Sequence, residues 1–155
     1  MSAVKFTTVS PNYLTLDSTT EESKTIASAF KWYSARFSPK DIPRFYDVSS
    51  ITEQPKIFKL VIKVLADRYR AMGDDARPTH VIGFDARGFL LGAPLALELD
   101  IPFVLLRKAE KSPGVLVKSD PYSKEYKEVT PDTMAIRHGS INKGDRILLV
   151  DDLIA

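Results

Sequence analysis

The chain has 155 residues with 44% hydrophobic and 27% charged side chains, which is the composition of a folded globular domain. Because it contains no cysteine, disulfides and cysteine-ligated metal sites are excluded, and a net charge of +2 gives no bulk electrostatic reason to bind nucleic acid. No apolar run is long enough to span a membrane, and the first 16 residues lack the basic-then-apolar order of a secretory signal. We therefore expect a cytoplasmic domain with no nucleic-acid or membrane partner, whose function depends on local motifs.

The first half of the chain predicts two helices. From Glu21 to Phe37 apolar residues recur at spacings of four and three, which predicts one amphipathic helix. Two prolines then frame a loop from Ser38 to Arg44. The stretch Ser50–Glu53 has the spacing of a capping box, and Pro55 follows in the first turn of a second helix. That helix has a wide apolar stripe, formed by Ile57, Phe58, Val61, Leu65, Tyr69 and Met72.

A βαβ unit is predicted after the polar break at residues 73–78. His80–Phe84 has the pattern of a short strand, Phe89–Leu99 that of a helix, and Pro102–Leu106 that of a strand covered on both faces. Strand, helix and strand at this spacing predict a right-handed crossover and a parallel sheet. Further strands are expected at 133–137 and at 146–150. The predicted fold class is therefore α/β, a parallel sheet flanked by helices.

Charged segments follow three of these strands. Residues 107–130 form a polar excursion with mixed charges and two proline breaks, which predicts a hairpin or a flap. The turn Asp85-Ala86-Arg87-Gly88 follows the first strand, and Asp151-Asp152 follows the last. Because ligands bind at the carboxyl ends of parallel strands, both turns and Arg107-Lys108 should face one crevice. Carboxylates on one edge and basic groups on the other suit a ligand that carries vicinal hydroxyls and phosphate.

Each motif also has an ordinary structural explanation when it is taken alone. Two aspartates after a strand are more often a turn and a helix cap than a ligand site, and residues 85–88 are equally well explained as a local ion pair. Gly83 and Gly88 have the spacing of a Walker motif, but Phe89-Leu90 stands where that motif needs Lys-Ser/Thr, so a P-loop is excluded. Only the joint pattern is specific.

Taken together, these motifs resemble those of the type I phosphoribosyltransferases. Val150–Ala155 resembles the first two-thirds of their phosphoribosyl-pyrophosphate motif, and Gly83–Gly92 resembles the Gly-x-Asp-x-Arg-Gly-Phe-x-x-Gly signature of the adenine phosphoribosyltransferases. Arg107-Lys108, Ser123–Tyr126 and Phe45–Ser49 stand in the family's order. The resemblance covers residues 42–155, and residues 32–44 are similar to the longer protozoan branch.

The resemblance implies transfer of a 5-phosphoribosyl group from 5-phosphoribosyl 1-pyrophosphate to adenine, giving AMP and pyrophosphate. It implies Mg²⁺ held through substrate and water rather than by direct protein ligands, and a homodimer. It also implies a small N-terminal hood at residues 1–45 and a phosphoribosyltransferase-like core at 46–155, with a flap at 109–130.

The resemblance assigns a role to each candidate site residue. Glu125 would be the catalytic acid–base residue beside Tyr126, and Asp151 and Asp152 would hold the ribose hydroxyls. The purine would contact Arg44, Phe45 and Tyr46. Pyrophosphate would contact Ala86, Arg87, Arg107, Lys108 and Lys111, and Ala155 completes the set of substrate-binding residues.

The resemblance also has a limit at Ala155. The family's motif continues with a Thr-Gly-Gly-Thr loop that binds the 5-phosphate. The C-terminal part of the core is therefore expected to be missing from this chain, so that the strand at 146–150 is uncovered and turnover by these 155 residues is weak or absent. A peroxisome-type signal at a later C-terminus would not be visible.

Three other functions stay open: transfer to another base such as xanthine or orotate, a non-catalytic phosphoribosyl-pyrophosphate-binding regulator, and a generic α/β interaction domain. Residues 1–40 contain no basic stripe, which argues against a DNA-binding regulator. Residues 45–49 and 123–126 favour adenine over the other bases.

Overall fold

The computed structural model describes residues 5–10, 13–34, 36, 43–124 and 127–152. The chain divides into two compact units, Met1–Met72 and Gly73–Ala155. Among the described residues, no helix combines the length and the hydropathy needed to cross a membrane.

The first unit begins with an antiparallel hairpin that the sequence analysis does not predict. Its strands are β1 (Phe6–Ser10) and β2 (Tyr13–Leu16). Helix α1 (Glu21–Ala29) follows, and the Thr20 hydroxyl oxygen caps it by accepting a hydrogen bond from the Ser23 amide at 3.2 Å. The predicted helix therefore begins where expected.

The predicted helix over Glu21–Phe37 is wrong beyond Ala29. Phe30 is extended, with φ −68° and ψ 122°, and strand β3 (Lys31–Ser34) pairs antiparallel with β4 (Arg44–Asp47). Trp32 lies opposite Tyr46, and Tyr33 lies opposite Phe45. Aromatic side chains favour strands and stabilise one another across a strand pair, so this pairing overrides the helical spacing. Arg44 consequently opens a strand instead of closing a loop.

The predicted capping box is also wrong. Ser50 lies inside a short helix, α2 (Ser49–Thr52), where its buried hydroxyl donates to the Asp47 carbonyl at 2.6 Å and accepts from the Lys31 amide at 3.0 Å. Pro55 opens α3 (Pro55–Arg70), as predicted. The deepest burial on α3 is not on the predicted apolar stripe but at Ile62, Val64 and Ala66.

The second unit is built on a five-stranded sheet. Its strands are β5 (His80–Phe84), β6 (Phe103–Lys108), β7 (Leu116–Lys118), β10 (Met134–Arg137) and β11 (Ile147–Val150), in the spatial order β11-β5-β6-β10-β7. Strands β11, β5 and β6 are parallel, as predicted. Strands β10 and β7 add antiparallel pairs, so the sheet is mixed rather than purely parallel. A separate hairpin consists of β8 (Tyr122–Lys124) and β9 (Lys127–Asp132).

The βαβ unit forms at the predicted place with shifted ends. Helix α4 runs over Arg87–Leu99, so Arg87 is its first residue and not part of the preceding turn. Strand β6 is longer than predicted and includes Arg107 and Lys108, which the sequence analysis places in the polar excursion. Strand β11 lies at the sheet edge among the described residues, and Leu149 is 57% exposed, in agreement with the expected uncovered strand.

Three glycines allow α4 to pack closely on the sheet. A Cβ atom added to Gly83 would lie 2.8 Å from the Phe103 ring, and one added to Gly92 would lie 2.7 Å from the same ring. A Cβ on Gly88 would overlap the Val150 carbonyl oxygen. The glycines of the sequence signature are thus required by the packing of α4 against β5, β6 and β11.

We expect Gly88→Ala to lower the free energy of unfolding by about 2–3 kcal/mol, because the added methyl group must displace backbone rather than a flexible side chain. Chemical denaturation followed by circular dichroism measures this change. Gly73→Ala is the matched control, since nothing lies within 4 Å of a Cβ at that position. Equal effects of the two substitutions would contradict the packing argument.

Candidate functional site

The carboxyl ends of β11, β5 and β6 lie side by side. Val150 is in register with Gly83, and Gly83 is in register with Leu105. The turns that leave these strands therefore meet at one edge of the sheet, as predicted for a ligand site in an α/β fold. Among the described residues, the side chains of this edge form three ion pairs.

The first ion pair joins the two predicted motifs. Arg87 Nε donates to Asp152 Oδ2 at 2.6 Å, and Asp152 is the more buried partner. The sequence analysis places carboxylates and basic groups on separate edges of the crevice. For Arg87 this is wrong, because Gly88 lets α4 start directly against the end of β11, and the guanidinium then reaches the second aspartate.

The two aspartates differ in their surroundings. The Asp152 amide donates to Asp151 Oδ1 at 2.9 Å. Burial raises the pKa of the Asp151 carboxyl above its ordinary value of 3.8, the negative charge of Asp152 acts in the same direction, and the Asp152 amide and Arg87 oppose the shift. Asp151 therefore holds a proton more readily than an exposed aspartate does.

The second ion pair involves an aspartate that the sequence analysis leaves out of the site. Arg107 Nε donates to Asp85 Oδ2 at 3.0 Å, and the Asp85 amide donates to the Leu106 carbonyl at 3.1 Å. Ala86, joined to Asp85 by a cis peptide bond, precedes the first residue of α4. The aspartate at the third position of the signature Gly-x-Asp-x-Arg-Gly is the signal that could have identified Asp85.

The third ion pair lies on the opposite face of the sheet. Successive side chains of a strand alternate between faces, so Arg107 and Lys108 project in opposite directions. Lys108 Nζ contacts Asp132 Oδ1 at 2.6 Å, at the point where β9 ends. No motif in the sequence connects Lys108 with Asp132. Lys111 ends the 3₁₀ turn Ala109–Lys111 and is exposed.

The three predicted purine contacts belong to β4 in the first unit. Within that unit the Arg44 guanidinium lies over the Trp32 ring, 4.8 Å from its centroid, and the Tyr46 ring meets the Phe30 ring edge-on at 6.3 Å. Phe45 is half-buried and projects from the other face of the hairpin, because it lies between Arg44 and Tyr46 on an extended strand. The Phe45 side chain therefore lies on the opposite face of the strand from the side chains of Arg44 and Tyr46.

Three predicted site residues, Glu125, Tyr126 and Ala155, lie outside the described residues. Within the described ranges no group of three or more acidic or histidine side chains is arranged to hold a metal ion.

Residues 47–155 match the family model of the phosphoribosyl transferase domain. An adenine phosphoribosyltransferase from Vibrio campbellii is 43% identical over 137 residues, which cover 88% of this chain and 70% of that protein. One from Histophilus somni is 40% identical over 76% of this chain, and the chain spans 61% of that relative's length.

Solved structures agree with the sequence matches. The adenine phosphoribosyltransferase of Trypanosoma brucei, in complex with AMP, pyrophosphate and ribose-5-phosphate, superposes with a TM-score of 0.82 at 44% identity and covers 97% of this chain. That of Leishmania donovani gives 0.81 at 53% identity and also covers 97%. This chain spans 63% of both structures. The chain therefore belongs to the phosphoribosyltransferase family and, within it, to the adenine phosphoribosyltransferases.

Proposed function

We propose that the protein transfers the 5-phosphoribosyl group of 5-phosphoribosyl 1-pyrophosphate to adenine and releases AMP and pyrophosphate. The observation that carries the proposal is the meeting of Arg87 and Asp152 at the ends of two parallel strands, which places a phosphate-binding group beside a hydroxyl-binding group. The Trypanosoma brucei enzyme, solved with AMP, pyrophosphate and ribose-5-phosphate, supports the choice of ligands.

Asp151 and Asp152 would hold the ribose through its 2′ and 3′ hydroxyls. An ionised carboxylate only accepts hydrogen bonds, and two neighbouring carboxylates match two vicinal hydroxyl donors. The Arg87 contact fixes the Asp152 side chain, while the Asp152 amide fixes that of Asp151. Both acceptors are therefore oriented before the sugar binds. We also assign Ala155, at the end of the motif, to the substrate, which it would contact through its backbone.

The diphosphate would contact Ala86, Arg87 and Arg107. Lys108, which projects from the other face of β6, and Lys111 are the further basic residues that the resemblance assigns to it. Each of the two guanidinium groups has its Nε atom engaged by an aspartate, Arg87 by Asp152 and Arg107 by Asp85. An arginine held in this way still presents Nη donors, whose planar arrangement matches phosphate oxygens. The start of α4 adds backbone amides and the positive end of the helix dipole.

Mg²⁺ suits this edge of the sheet because aspartates offset the positive charge of its basic side chains, which leaves less of that charge for a diphosphate. Three of the basic side chains assigned to the diphosphate, those of Arg87, Arg107 and Lys108, are each paired with an aspartate, so part of their attraction for a polyanion is already offset. Mg²⁺ prefers oxygen ligands and commonly binds through substrate phosphates and water. Bound to the diphosphate, it would neutralise the charge that develops on the leaving group.

The reaction breaks the bond between C1 of the ribose and the diphosphate oxygen, whose electron pair leaves with pyrophosphate. The lone pair of adenine N9 forms the new bond to C1, and the proton on N7 must then leave. We assign that proton to the carboxylate of Glu125, with Tyr126 beside it. The aspartates and arginines hold the sugar and the leaving group in line while positive charge develops on the ribose.

The base would bind to the first unit through Arg44, Phe45 and Tyr46. The exposed rings of Trp32 and Tyr46 on the hairpin of β3 and β4 offer stacking surface of the kind a purine uses. We also propose a homodimer in the cytoplasm. The exposed Leu90 and Leu97 on α4 are apolar surface that a second copy would cover.

The test is nucleotide formation from 5-phosphoribosyl 1-pyrophosphate with adenine, hypoxanthine, xanthine or orotate, each with Mg²⁺ and with chelator. It uses the longest available form of the protein, because turnover by the 155 residues alone is expected to be weak or absent. Calorimetric binding of 5-phosphoribosyl 1-pyrophosphate runs in parallel, because binding does not require turnover. We expect binding in the presence of Mg²⁺ and AMP formation with adenine alone. Binding without any nucleotide formation would favour the non-catalytic regulator. Nucleotide formation from another base would show that this base, and not adenine, is the substrate.

We expect Glu125→Gln to reduce kcat by about 10²- to 10⁴-fold, the contribution of one well-placed general acid–base group. Affinity for 5-phosphoribosyl 1-pyrophosphate should remain within about twofold, because Glu125 is assigned to the base and not to the ribose. Steady-state kinetics and calorimetry measure the two quantities. Glu128→Gln makes the same change of charge nearby and should leave both unchanged.

Affinity for 5-phosphoribosyl 1-pyrophosphate should fall as the pH drops through the raised pKa of Asp151, because a protonated carboxyl loses acceptor capacity. The stability of the folded state depends on pH in the opposite direction. The folded state binds this proton more tightly than the unfolded chain, so the contribution of Asp151 to stability decreases as the pH rises above 3.8 toward the folded pKa.

Asp151→Asn separates these two effects. It should weaken binding at neutral pH and remove part of the acid dependence of binding. Relative to the unsubstituted protein, it should increase the free energy of unfolding more at pH 7 than at pH 4. Calorimetry and urea denaturation across this range measure both. Asp75→Asn, an exposed aspartate elsewhere in the second unit, serves as the control. An unchanged pH profile of binding in Asp151→Asn would refute the assignment.

A further inference from the structure

A buried hydroxyl joins the two strands of the β3–β4 hairpin at one end. Lys31 opens β3, Asp47 closes β4, and the two residues are in register with one another. Ser50 lies in α2, and its hydroxyl accepts from the Lys31 amide at 3.0 Å and donates to the Asp47 carbonyl at 2.6 Å. The side chain of Ser50 therefore bridges both strands at the end where the chain connects them to α1 and α2.

Ser50 is itself held in place. It is 2% exposed, its hydroxyl proton is donated to Asp47, and a lone pair of the same oxygen accepts from Lys31. The Ser50 carbonyl accepts from Gln54 Nε2 at 2.6 Å, and that nitrogen also lies 3.4 Å from the Ala29 carbonyl oxygen, at the end of α1. The bridge to the hairpin thus starts from a residue fixed between the end of α1 and the residue that precedes α3.

The hairpin needs such a connection because a pair of strands alone is marginally stable. The Trp32 and Tyr46 rings are each 53% exposed, so their burial contributes only part of what they could to holding the strands. The Phe30 ring contacts the Tyr46 ring edge-on, and the Ser50 bridge holds the backbone of both strands. The bridge therefore helps to determine where the hairpin lies relative to α2.

We propose that Ser50 is a positioning residue for the purine, an inference that rests on the proposed function. The residues assigned to the base, Arg44, Phe45 and Tyr46, immediately precede Asp47 on β4, so the carbonyl that Ser50 holds fixes the strand that carries them. Ser50 acts through the hairpin backbone and not by contact with the base. Loss of its hydroxyl weakens binding of adenine and spares binding of 5-phosphoribosyl 1-pyrophosphate, which is assigned to the second unit.

The experiment measures the dissociation constants of adenine and of 5-phosphoribosyl 1-pyrophosphate with Mg²⁺ on the 155-residue chain by calorimetry. We expect Ser50→Ala to raise the constant for adenine about three- to tenfold, as for the net loss of one hydrogen bond, and to change the other by less than about twofold. Ser50→Thr keeps the hydroxyl and should retain most of the affinity. Ser23→Ala is the matched control, because it removes a buried hydroxyl of the same unit that bonds with Thr20.

Trp32, the only tryptophan of the sequence, reports on the hairpin without any ligand. Release of the strand ends should increase the quenching of its fluorescence by acrylamide and lower its fluorescence anisotropy in Ser50→Ala, but not in Ser23→Ala. A general loss of stability would affect both variants alike. Circular dichroism checks that each variant is folded, and Ser50→Cys, which replaces the hydroxyl with a weak donor, repeats the comparison if Ser50→Ala is not.

The outcomes separate this inference from the proposed function. An equal effect of Ser50→Ala on both ligands, or an effect on adenine no larger than that of Ser23→Ala, would overturn the inference alone. Weaker adenine binding with unchanged Trp32 fluorescence would also overturn it, since Ser50 would then not act through the hairpin. If the unsubstituted chain binds 5-phosphoribosyl 1-pyrophosphate but not adenine, the base site assigned to β4 fails, and the inference fails with it.

Discussion

The close approach of α4 to the end of β11 is the constraint on which the site depends. Gly88 permits it, because any larger residue would place a Cβ atom against the Val150 carbonyl. Arg87 begins the helix one residue earlier and therefore reaches Asp152, which follows Val150 by two residues. Gly83 and Gly92 leave room for the Phe103 ring, so the rest of the helix packs closely on the sheet. The contact between a basic and an acidic motif is thus a consequence of backbone packing.

The parts of the fold that local pattern determines could be predicted from the sequence. Strand β5, helix α4 and strand β11 have apolar runs or small-residue spacing that few other structures satisfy, and their motifs meet as expected. The region after Ala29 could not be predicted, since Ile26, Phe30 and Tyr33 continue a helical spacing. Only the pairing of β3 with the distant β4 makes it a strand. Strand β10 was predicted at 133–137, but its antiparallel orientation and the existence of β7 were not, because both depend on long-range pairing.

The candidate site residues divide in the same way into those that local pattern predicts and those that it does not. Arg87, Arg107, Asp151 and Asp152 were predicted because each follows or begins a recognisable element. Asp132 was not, because its place beside Lys108 depends on the register of β10 with β6. The strand geometry also changes what a run of neighbouring residues can do. Phe45 cannot share a face with Arg44 and Tyr46, and Lys108 cannot share one with Arg107, since side chains alternate along an extended strand.

A candidate site whose basic groups are paired with aspartates would select its ligand by geometry more than by field strength. Basic side chains without partners would attract any polyanion. Here aspartates pair with Arg87, Arg107 and Lys108, offset part of that attraction and fix the direction of both guanidinium groups. In the proposed function a diphosphate would gain affinity where its oxygens meet the oriented donors and where Mg²⁺ offsets its charge beside the carboxylates. In the proposed function Asp152, which pairs with Arg87, would also accept a sugar hydroxyl, so recognition of phosphate and of ribose would be coupled through that contact. A ligand with only one of these groups would leave part of that pair unmatched and bind weakly.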